Sequence, residues 1–125
     1  MRFIVTLGNE RVELERLTIE QMAGVCDRAA MRRTRAVADV ARRMGIGQRE
    51  SLEAASEIAV AADMLTSLLR ESATLAGALD ILTVASGNNM DLARGLMDAS
   101  RPAEWAGAAL KAIGMDEEGK AEAER

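Results

Sequence analysis

The sequence predicts a mainly α fold, an N-terminal β-hairpin packed on a bundle of four to five helices, and three observations carry that expectation. Apolar residues alternate with period two over residues 1–17 and recur at helical spacing from there on. The chain is rich in Ala and only 2% aromatic, the small side chains that suit closely packed helices. A hydrophobic content of 49% and a charged content of 29% match a globular chain rather than a disordered one, and 125 residues suit a single core. One domain is therefore expected over residues 1–115, the hairpin at 1–17 and a helical body at 18–114.

Each element has its own signal. Phe3, Val5 and Leu7 alternate in the first strand and Val12 and Leu14 in the second. Gly8-Asn9 between them suits a two-residue type II′ turn, because Gly accepts the positive φ of its first position. That register sets Leu7 opposite Glu10, Val5 opposite Val12 and Phe3 opposite Leu14, with the apolar pairs on one side. A lone hairpin is marginal in water, so this face either packs on the helices or receives a partner's strand.

Thr18 and Gln21 have the spacing of a capping box, and the apolar series Ile19, Met22, Val25, Cys26, Ala29, Ala36, Val37, Val40 and Met44 predicts a helix ended by Gly45-Ile46-Gly47. A second helical region is expected from about Gln48 through Leu52, Ile58, Met64, Leu68, Leu69, Leu75, Leu79 and Leu82 to Gly87-Asn88-Asn89. It is too long for an ordinary helix, so a break is expected between Ser72 and Gly77. Two short helices follow, Met90 to Ala99 and Pro102 to Ile113, the latter with Ser100 as its expected cap and Gly114 as its stop. Residues 116–125 are Glu-rich and without periodicity, and read as an acidic, disordered tail.

Net charge is −4, yet residues 28–49 hold seven arginines against Asp39 alone, so the remainder is strongly acidic. Arg28, Arg32, Arg35 and Arg42 fall at helical spacings along one face. Such a stripe suits electrostatic contact with phosphates, since guanidinium groups grip phosphate oxygens as a fork. It equally suits a solvated face, or one balanced by Glu50, Glu53 and Glu57 of the next helix.

The stretch from Val37 to Arg49 resembles the first half of a DNA-binding helix-turn-helix: Ala41, Gly45 and Ile46 match the turn pattern, whereas Ser51 stands where an aliphatic residue belongs and Leu52 is one residue out of phase. A DNA-binding regulator using residues 37–54 is accordingly the alternative function. The opening layout, a hairpin from Phe3 to Leu14 leading through Leu17-Thr18-Ile19 into an Ala-rich helical body, resembles small phage tail-assembly chaperones and related virion-assembly proteins. That resemblance implies a protein-assembly role and carries over no binding residue.

Enzyme chemistry finds no footing in the sequence. There is no His, hence no Ser-His-Asp or Cys-His arrangement and no imidazole ligand, and no Gly-rich loop carries a P-loop lysine or dinucleotide fingerprint. Cys26, the single cysteine, sits in an apolar helical series where a buried thiol is expected. It also precludes an internal disulfide, which fits a reducing, cytoplasmic setting. The N-terminus lacks the apolar core of a secretory signal, and no run is long enough to span a membrane. No cofactor, metal or small-molecule substrate is expected. Trp105, the only Trp, is either a partner anchor or the pin of the last helix. Met22, Met44, Met64, Met90 and Met97 read as core filler. The functional expectation is a non-enzymatic protein-interaction or assembly module, binding a protein partner or copies of itself through Phe3, Val5, Val12, Leu14 or Trp105.

Overall fold

A computed structural model describes residues 1–45, 47 and 63–115. Two strands, β1 (Arg2–Leu7) and β2 (Glu10–Glu15), form an antiparallel hairpin. Five helices follow among the described residues: α1 (Ile19–Arg43), α2 (Met64–Ser72), α3 (Leu75–Ala85), α4 (Met90–Asp98) and α5 (Pro102–Ala112). The protein is mainly α with an N-terminal hairpin, as its periodicities predict.

The hairpin register is the expected one, with Phe3 opposite Leu14, Val5 opposite Val12 and Leu7 opposite Glu10. Gly8 carries the positive φ of the turn, +64°. Its N–H donates to Glu104 Oε2 at 3.0 Å, and a Cβ at this position would overlap the Ala99 carbonyl. The hairpin tip is thus clamped on the junction between α4 and α5, where only Gly fits both the turn and the space.

α1 begins with the Thr18–Gln21 capping box and ends at Met44, with Gly45 beyond it at φ +73°. The expected break after Ser72 is real: Thr74 Oγ1 caps α3 by accepting from Gly77 N at 3.0 Å. A second break was not expected. Asp63 is extended and its carboxylate accepts from Thr66 N at 2.8 Å, so α2 starts there rather than continuing from Gln48. The expected helical stretch over 48–62 and the acidic tail over 116–125 lie outside the described residues. Gly87 and Gly114 both close their helices as left-handed caps, with Asn88 N donating to Thr83 O at 2.8 Å and Met115 N to Leu110 O at 2.9 Å. Ser100 does not cap α5. Its hydroxyl donates back to Leu96 O at 2.7 Å, and the cap position belongs to Arg101, whose N–H donates to Glu104 Oε1 at 3.4 Å.

α3 is the central helix, packed against the other four and against β2. Gly77, Ala78, Ile81, Leu82 and Ala85 are its buried positions. Around it close Val25 of α1, Leu68 of α2, Ala93 and Leu96 of α4, Trp105, Ala109 and Ala112 of α5, and Leu7 and Leu14 of the hairpin. Alanines at the contacts let the helices approach closely, so a core with few rings still excludes water.

Candidate functional site

The hairpin residues singled out from sequence face inward. Val5 and Leu14 are buried, Phe3 and Val12 pack partly buried on the core, and Trp105 is buried within it. These side chains hold the fold. The outer face of the hairpin carries Arg2, Ile4, Thr6, Arg11, Glu13 and Glu15, all exposed, with Arg2 and Glu13 paired at 3.7 Å. Charged residues beside an open strand edge discourage the addition of a further strand.

The arginine stripe divides into two parts. Arg28 Nε donates to both carboxylate oxygens of Asp80, at 3.0 and 2.8 Å. That hydrogen bond holds the Arg28 pKa above its ordinary value. Arg32 donates to Glu71 Oε2 at 2.9 Å, and Arg33 approaches Glu71 Oε1 at 3.6 Å. Glu71 is buried, and a Cβ on Gly77 would overlap it, so the bare glycine of α3 is what lets the carboxylate sit between the helices. Further along, Arg42 pairs with Asp39 of its own helix at 2.8 Å in an exposed contact, and Arg35 is exposed without an ion pair to a described residue. The acids that balance Arg28 and Arg32 are therefore Asp80 and Glu71. Glu50, Glu53 and Glu57 lie outside the described residues.

The helix-turn-helix-like segment is described only to Gly45 and at Gly47. Ala41 is buried and Gly45 adopts a positive φ at the end of α1. Cys26 is half-buried, its thiol directed at Met64 O at 3.7 Å. Burial, followed by the neighbouring Asp27, pushes its pKa above the ordinary thiol value, which favours the protonated thiol.

Among the described residues, exposed apolar side chains stand on several elements, Ile19 and Met31 of α1 and Leu65 and Leu69 of α2 among them, and an open groove with apolar lining lies between α3 and α4. Leu75, Ala76 and Leu79 of α3 and Arg94, Met97 and Asp98 of α4 line a groove of about 300 Å³. Met97 forms a buried floor, whereas Leu75 stands at the lip with 70% of its surface exposed. Arg94 and Asp98 are one helical turn apart on the same wall, and neither makes an ion pair with a described residue; Arg94 only approaches Met90 Sδ, at 3.7 Å. Arg preceding an acid by four residues is the weaker orientation for pairing along a helix, so both charges stay available. A second cavity, about 230 Å³ between Glu13 and Glu15 of β2 and the end of α3 at Ser86, carries three charged side chains on its rim, Arg2, Glu13 and Glu15.

Sequence periodicity placed Leu75 in one apolar series with Leu68 and Leu82, and so missed this groove. Leu75 shares its helix face with Ala78 and Leu82, both buried; it is exposed because, as the first residue of α3 after the Thr74 cap, it stands at the helix end. Met44, Met64 and Met90, expected in the core, are likewise exposed, while Met22 and Met97 pack on it. The Arg–Glu71–Asp80 cluster was also missed. Gly77 following a Glu six residues earlier across a helix break is too common a pattern to have signalled it.

Among the described residues no helix is long and apolar enough to cross a membrane. Compared with protein-family models, curated proteins and solved structures, the chain matches none.

Proposed function

We propose that this protein is a non-enzymatic protein-interaction or assembly module whose contact surface is the groove between α3 and α4. The observation that supports the reading is an exposed Leu75 beside an apolar floor, flanked by the unpaired charges of Arg94 and Asp98. An apolar centre with charged edges is the usual anatomy of a protein contact, the centre supplying affinity and the charges orientation. The partner is a protein or another copy of the chain, in a cytoplasmic setting consistent with the lone cysteine. The layout resemblance suggests a morphogenesis chaperone of the phage tail-assembly kind as its specific form.

A second reading is a DNA-binding regulator using residues 37–54. Two observations favour it: Gly45 turns left-handed where a helix-turn-helix pattern places its glycine, and Arg35 is exposed without an ionic partner among the described residues. Arg28 and Arg32 count less toward it, since phosphates would have to compete with Asp80 and Glu71.

Size-exclusion chromatography with light scattering at low and high salt, recorded at protein and nucleic-acid wavelengths, separates the two. With one Trp and no Tyr the chain absorbs weakly, so bound nucleic acid stands out. A salt-stable protein complex free of nucleic acid is the expected outcome. A monomer that carries nucleic acid at low salt and sheds it at high salt contradicts the proposal, because phosphate contacts weaken steeply with salt.

A further inference from the structure

Resting on the groove reading, we infer that the occupant of the groove is a second copy of this chain, joined about a two-fold axis that sets Arg94 of one copy against Asp98 of the other. The charges themselves suggest this partner. A two-fold contact applies one patch to itself, so whatever a residue meets, its partner's equivalent meets in return. Arg94 and Asp98 lie four residues apart on one wall of α4, and two such helices packed antiparallel level with residue 96 bring Arg94 to Asp98 twice over. The patch is thus its own electrostatic complement.

The apolar part fits the same operation. Leu75 is 70% exposed at the lip, and the groove beside it holds about 300 Å³ over Leu79 and Met97. Across the axis each Leu75 enters the other copy's groove, covering the side chain left exposed at the start of α3. Neither Arg94 nor Leu75 belongs to the buried core.

Sedimentation velocity on the full chain at concentrations up to about 100 μM, with charge-reversal variants, tests the inference. A wild-type dimer is expected. Arg94→Asp sets carboxylates against each other at both symmetric positions, and Asp98→Arg does the same with guanidinium groups. Each alone is expected to weaken association by about tenfold or more, while the double variant restores it by swapping the two signs together. Leu75→Asp is expected to give monomers with an unchanged melting curve, since an acid in the first turn of a helix is favourable.

A dimer indifferent to all of these variants overturns the inference by placing the contact elsewhere. A monomer that instead forms a complex with a different protein, lost on Leu75→Asp, overturns the second copy as occupant while leaving the groove as a contact surface. A monomer with no such complex overturns both.

Discussion

The hairpin and the α3–α4 groove use the same kinds of side chain in opposite ways. In the hairpin Val5, Leu7 and Leu14 face inward and the outer surface is charged; in the groove Met97 is covered but Leu75 faces solvent. Both regions read as apolar in the sequence. What separates them is where the backbone places each side chain: a two-residue turn keeps the strand alternation in phase with the core, whereas the cap at Thr74 makes Leu75 the first residue of α3, at a helix end, while Ala78 and Leu82 on the same face are buried. An aliphatic residue marks a contact surface only where the fold has left it uncovered.

That contrast breaks down unless substitutions in the two regions have different consequences. The largest loss is expected for Trp105→Ala, about 3–5 kcal/mol, and for Leu14→Ala, about 2–5 kcal/mol, both as lowered unfolding free energy in denaturant titrations. Leu75→Ala, by contrast, should stay within about 0.5 kcal/mol of wild type, as exposed positions do. Equal losses at Leu14 and Leu75 would erase the distinction between core and groove.

Glu71→Ala is expected to be next in size. Removing the acid leaves Arg32 and Arg33 facing a buried gap, a change that costs several kcal/mol when both partners are enclosed. Here the Arg32 and Arg33 side chains keep 37% and 25% of their exposure, so solvent screening lowers the expected loss to about 2 kcal/mol. A loss that size in denaturant titration would place the stripe's first half in the architecture; no loss would return Arg28 and Arg32 to the pool of surface charge.

Smaller effects sharpen the picture of the breaks that start α2 and α3. Thr74→Ala removes the α3 cap and is expected to cost about 1 kcal/mol, read by the same titration. Asp63 governs the start of α2. Its hydrogen bond from the Thr66 N–H holds the carboxyl below its ordinary pKa, so the stabilisation is present above the unfolded value and lost as pH falls through the lowered folded value. Asp63→Asn, which can still cap, should flatten that acid limb of stability while leaving neutral pH nearly unchanged. An unaltered acid limb would show that the ionised form is not what holds the cap.

Much of the fold was legible because local signals agreed with the tertiary structure. The Gly8-Asn9 turn, the Thr18 cap, the Gly87 and Gly114 stops and the break before Leu75 are each fixed by short-range chemistry. Asp63 and Arg101 were not found as cap positions, since several residues near them offer comparable chemistry and only packing decides. The groove and the Glu71 cluster are tertiary in origin. Glu71 meets Arg32 across 39 residues of chain, and Arg28 meets Asp80 across 52, separations at which periodicity carries no information.

The central claim is that the groove, and not the hairpin's outer face, meets another protein. Its most direct test is to place a photo-crosslinking benzoylphenylalanine at Ala76 and, in a parallel sample, at Ile4, and to irradiate cells producing each. A protein adduct formed through position 76 and absent through position 4 is the result expected here. Adducts through position 4 alone would contradict it and return the hairpin to the centre of the function.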